Sequence, residues 1–113
     1  MSEPNSLRER VVMASSAEYL KYALDLLRDV PAVTCKKMMG EYLLYGEGVL
    51  FGGIYDDRLL LKDTPASRAA FPEEQAPYEG ARPMLLVDSE DPSRVAEVVT
   101  TMLAELPKPK RER

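Results

Sequence analysis

Histidine and tryptophan are absent from this sequence of 113 residues, and cysteine occurs once. Without histidine there is no Ser-His-Asp or Cys-His pair, no imidazole general base and no histidine-bearing zinc site. The lone Cys35 excludes an intrachain disulfide and every CxxC metal or redox motif. Long apolar runs are missing too. Gly48 to Tyr55, the longest uncharged strand-like run, holds eight residues, far fewer than the roughly 18 needed for a membrane span. The opening MSEPNSLRER is polar, of mixed charge and without an apolar stretch behind a basic start, so it does not read as a secretory signal. These features point to a cytoplasmic protein that does not engage membranes. The glycines fit neither GxGxxG nor a P-loop, and no cofactor or metal is expected.

What remains is the composition of one small globular domain, 45% hydrophobic and 30% charged. Its charge is uneven. Residues 1–12 sum to zero, the body from Met13 to Leu106 has 9 basic and 16 acidic residues for −7, and PKPKRER at 107–113 carries +3. An acidic body repels a phosphate backbone, and Lys108, Lys110, Arg111 and Arg113 are too few for strong binding by counterion release. The tail reads as a solvated, disordered terminus, with nucleic-acid contact at most weak or indirect.

Ser15-Ser16-Ala17-Glu18 has capping-box spacing, and apolar positions from Tyr19 to Leu27 recur with helical period until Pro31. A helix is predicted over about Ser16 to Asp29. Short runs rich in Val, Tyr, Leu and Ile follow, separated by Gly40, Gly46-Glu47-Gly48 and Asp56-Asp57. They predict an antiparallel meander of Thr34–Met38, Glu41–Tyr45, Val49–Tyr55 and Leu59–Lys62. Gly52-Gly53 inside a strand marks a bulge or, second, a close backbone approach. Thr64-Pro65 and Asp91-Pro92 each cap a helix, the first ending at Phe71 and the second at about Leu106. Between them Pro72 to Pro83 is too rich in proline for regular structure, and Pro83 to Val87 reads as a last strand. The fold class is α+β, two layers, with about five antiparallel strands and about three helices. The strands are apolar at consecutive positions, so both sheet faces need cover, by the 72–83 loop or a second subunit; a homodimer is expected.

Three groups of residues are candidates for function. Cys35 beside Lys36 and Lys37 has cations near a thiol, although only Lys37 shares its face of a strand. Glu41, Asp56 and Asp57 supply clustered oxygens that suit a hard cation or acid/base work, but match no known loop and serve equally as turn residues. Lys36, Lys37, Met38, Met39 and Tyr42 combine cations, soft thioethers and an aromatic ring, which suits an adaptable protein-binding surface.

The strings Lys37-Met38-Met39-Gly40-Glu41-Tyr42, Gly46 through Lys62 with Phe51-Gly52-Gly53-Ile54-Tyr55-Asp56-Asp57-Arg58 at its centre, and Pro77-Tyr78-Glu79-Gly80-Ala81-Arg82-Pro83-Met84 resemble the N-terminal domain of TfoX/Sxy proteins. The resemblance spans about Met13 to Leu106. It implies helices packed on an antiparallel sheet, a fold similar to type III secretion chaperones, and kinship with regulators of competence that act in transcription. It supplies no catalytic residues. The sequence departs from full-length members in having no helical C-terminal domain and in placing residues 1–12, expected to be disordered, before Met13-Ala14-Ser15-Ser16. Together these readings favour a non-enzymatic module that binds a protein partner, with the transcription machinery the class of partner that the resemblance suggests. The rivals are a nucleic-acid-binding dimer using the basic tail and a small-molecule binder using the carboxylates and tyrosines.

Overall fold

A computed structural model describes residues 15–108. The expected disorder of 1–12 and most of the basic tail lie outside the described residues. The elements run α1 (Ala17–Leu26), β1 (Val33–Met38), β2 (Glu41–Gly46), β3 (Val49–Ile54), β4 (Leu59–Leu61), α2 (Pro65–Ala70), β5 (Glu74–Gln75), β6 (Met84–Leu86) and α3 (Pro92–Glu105). The strands form one six-stranded antiparallel sheet in the order β1-β2-β3-β4-β6-β5. The α+β architecture matches the sequence reading, with one strand more.

That extra strand, β5, falls inside the segment expected to be irregular. Two residues suffice for it because Glu74 and Gln75 pair with Leu85 and Met84, and the Leu86 amide donates to the Glu73 carbonyl. α1 is also shorter than predicted. Leu27 caps it, donating to the carbonyls of Ala23 and Leu24, and Val30 then donates to Leu27. This tightened exit buries both Leu27 and Val30. The cap at its start moves by one residue: Ser16, not Ser15, accepts from the Tyr19 amide.

Consecutive pairing sorts the side chains by face. Leu44, Ile54, Leu59, Leu61 and Leu85 join Ala23 and Leu26 of α1, its cap Leu27, and Val95, Val99 and Met102 of α3 in one buried cluster, so the helices cover one face. The row Lys36–Leu43–Gly53–Leu60–Leu86 lies on the other. Both faces carry apolar groups, as the unbroken apolar runs require. A bulge leaves Phe51 unpaired between Leu44–Gly52 and Tyr45–Leu50, and the ring is fully buried close to Gly46 and Leu103. The sequence offered a bulge or, second, a close approach for Gly52-Gly53; the structure has the close approach at both glycines, which keep regular pairing, and the bulge falls one residue earlier at Phe51. A Cβ on Gly52 would stand 2.3 Å from the Leu60 carbonyl oxygen, and one on Gly53 2.7 Å from the Tyr42 oxygen and 2.7 Å from the Tyr55 ring.

Candidate functional site

Three two-residue hairpin turns set the site's geometry. Met39-Gly40, Glu47-Gly48 and Asp56-Asp57 all have positive φ, the backbone that matches the twist of the flanking strands. Asp-Asp is a costly choice for such a turn, and its use is explained by α1. The Asp57 carboxylate accepts from the Ser16 amide at 2.7 Å, while the Asp57 amide donates to Ser15 Oγ at 3.0 Å. The Ser15 amide in turn donates to the Gly40 carbonyl. The start of α1 is therefore fastened to two hairpin tips, and the acidic group sits where the helix dipole favours negative charge. Asp57 is accounted for by this clasp.

The β1–β2 hairpin so held carries the residues singled out as a protein-binding surface. Lys36, Lys37 and Met38 are exposed, and Met39 is 97% exposed at the tip. They do not form one patch. Lys37 is the register partner of Tyr42, on the face of Cys35 and Leu44, whereas Lys36 and Met38 point to the opposite face. Tyr42 is half-buried against the core. What unites Lys36, Lys37 and Met38 is the strand edge: among the described residues β1 pairs with β2 alone, and Thr34 to Met38 are all exposed. Cys35 is exposed there as well.

The carboxylates do not assemble a metal site; no group of metal-ligating side chains occurs among the described residues. Glu41 nonetheless has an unusual setting. Partial burial pushes its carboxyl above the ordinary value, Asp56 adds to this and Arg58 opposes it. A carboxyl whose folded pKa is raised favours the fold when protonated, and this contribution is lost as pH rises from the unfolded value through the folded one. Glu41→Gln is therefore expected to raise the midpoint of thermal unfolding slightly at neutral pH, with the gain closing at a pH below the ordinary glutamate range. Thermal denaturation of both proteins at several pH values checks this.

A cleft absent from the sequence reading opens on the face away from the helices. The eight-residue connection 76–83 between β5 and β6 folds back over the sheet, held by Arg58. Its Nε donates to the Tyr55 carbonyl, Nη1 to Gln75 Oε1 and the Ala76 carbonyl, and Nη2 to the Pro77 carbonyl, all at 2.8–3.1 Å. Between loop and sheet lies a space of about 370 Å³, reached by Leu50, Tyr55, Lys62, Tyr78, Arg82 and Met84. The Tyr55 ring lies over Gly53, whose missing side chain makes room for it. Burial pushes the Tyr55 hydroxyl above its ordinary value, and Glu41, Tyr78 and Tyr45 act in the same direction. Of the residues considered for small-molecule binding, Glu41, Asp56 and Asp57 do not line the cleft, and of the six tyrosines Tyr55 and Tyr78 do. Sequence reasoning missed Lys62 and Arg82, because nothing local brings together the residue that follows β4 and the 76–83 loop.

Of the basic tail, Lys108 lies within the described residues. Its Nζ donates to the Leu103 carbonyl at 2.9 Å, closing the end of α3. No described helix is long and apolar enough to cross a membrane.

Comparison with known proteins identifies a family and a relative. A model of the TfoX N-terminal domain family matches residues 25–95. An uncharacterised 12.7 kDa protein in the trpE 5′ region of Spirochaeta aurantia is 35% identical over 102 residues, covering 87% of this chain and 89% of that protein. No solved structure matches the chain.

Proposed function

The chain belongs to the TfoX N-terminal domain family, and from that premise we propose that it is a non-enzymatic regulatory module of the cell interior that binds a protein partner along the free edge of β1. The observation that carries this reading is the edge itself, six residues long and exposed from Thr34 to Met38. Such a strand offers unpaired N–H and C=O groups to an extended segment of another chain. Lys36 and Lys37 flank that segment from both faces and are the wrong sign for the acidic body around them, so an acidic strand complements them. Met38 and Met39 add apolar, adaptable contact area at the tip. Competence regulation through the transcription machinery is the process that the family resemblance suggests.

The reading is tested with a photo-crosslinking residue placed at Met39, or at Arg94 on α3 as a control, in nuclease-treated lysate. Crosslinks to a distinct protein through an acidic segment, from position 39 alone and reduced roughly tenfold by Lys36→Glu with Lys37→Glu, are the expected result. Crosslinks only to second copies of this chain, or crosslinks unaffected by the charge reversal, overturn it. Both lysines are exposed, so the melting temperature of the doubly substituted protein should stay within a few degrees of the parent.

A further inference from the structure

The cleft under the 76–83 loop has a charge pattern that the β1 edge reading does not use. Lys62 and Arg82 both line it, and neither forms an ion pair with an acidic side chain among the described residues. The remaining charged lining residue is Asp63. Its carboxylate is taken by Arg68, with Nε to Oδ1 at 3.0 Å and Nη2 to Oδ2 at 2.7 Å, and this pairing holds it below the usual carboxylate range. Two cations with no described acidic partner therefore face one recess of an otherwise acidic body. The rest of the lining is apolar or aromatic: Leu50 and Met84 on the sheet, Pro77 and Pro83 on the loop, Tyr55 and Tyr78 between them. A space of about 370 Å³ is within the range of small-molecule sites, which are concave and largely apolar with a few convergent polar groups.

We propose that this cleft binds a small aromatic carboxylate, with the ring against Tyr55, Tyr78 and Met84 and the carboxylate directed to Lys62 and Arg82. Ring against ring supplies offset or edge-to-face contact, methionine sulfur packs well on aromatic edges, and the guanidinium can take a carboxylate through two parallel hydrogen bonds. The site is on the sheet face away from the helices and independent of strand addition at β1, so either assignment can fail alone.

The test is a nuclear magnetic resonance titration of the isotope-labelled full chain with phenylacetate, and in parallel with phenylacetamide, its neutral counterpart. Phenylacetate should shift the amides of Leu50, Gly52, Ala81 and Met84 saturably with Kd of about 1 mM or tighter, and phenylacetamide should bind roughly tenfold more weakly. Lys62→Gln with Arg82→Gln, the first at a half-buried and the second at an exposed position, should remove that preference for the acid. Equal binding of acid and amide, no saturable shifts, or shifts scattered away from the loop would overturn the proposal.

Discussion

Gly52→Ala is expected to cost at least about 3 kcal/mol, near or beyond the upper end of the usual penalty for overpacking. The new methyl would meet the Leu60 carbonyl oxygen at 2.3 Å and the Leu61 Cα at 3.2 Å. Both are backbone atoms of the central strand β4, so no rotamer change relieves the contact. Relief requires β3 and β4 to separate where Gly52 pairs with Leu61 and Gly53 with Leu60. Because Leu60 and Leu61 are both fully buried, separation would open both faces of the sheet at once. In a domain of this size, about 3 kcal/mol corresponds to a fall of roughly 15 °C in Tm. Gly80→Ala is the matched control: a Cβ there meets nothing, and only its φ of +87° is unfavourable, a penalty of about 1 kcal/mol. Circular dichroism melts of the two variants check the prediction. Equal losses would mean that β3 and β4 absorb the added methyl at little cost, since Gly52, unlike Gly80, has no positive φ to strain.

How much of this was legible in the sequence depends on how local each cause is. Thr64-Pro65 and Asp91-Pro92 announced α2 and α3 because a cap acts within one turn: Thr64 accepts from the Ser67 amide and Asp91 from the Ser93 amide. The meander from Val33 to Leu61 was legible because each hairpin closes through two residues at positive φ. The Ser15–Asp57 clasp was not, since it joins residues 42 apart and leaves no periodic trace. It also decides which serine caps α1, because a Ser15 hydroxyl that receives the Asp57 amide leaves the cap to Ser16. β5 was missed for a related reason. Glu74 and Gln75 have no strand propensity of their own; they pair because Arg58 fixes the chain beside them. The edge residues Lys36 to Met39 were read correctly as exposed, but their division between two faces follows from register with β2, which composition does not specify.

Arg58 is the second position where a single substitution should have a large effect, concentrated in the 76–83 loop rather than spread over the fold. Its guanidinium makes four hydrogen bonds, three of them to Gln75, Ala76 and Pro77. Hydrogen bonds from a charged group contribute about 1.5–3 kcal/mol each, and because these share one side chain their effects do not add, so Arg58→Ala should cost about 2–4 kcal/mol. Most of the loss falls on the loop and on β5, whose two residues have no other anchor in the sheet than β6. Lysine keeps the charge but has no planar fork, so Arg58→Lys should resemble Arg58→Ala. In hydrogen exchange followed by mass spectrometry, the segment from Glu74 to Arg82 should lose protection in both variants, while β2 and α3 keep theirs. The cleft should disappear with the loop, because Pro77, Tyr78 and Arg82 form one of its walls. Binding of phenylacetate should then fall below detection even where the melting transition remains cooperative. If protection and binding survived in Arg58→Lys, the loop would be held by its own packing on the sheet, and Arg58 would be only one of several contacts.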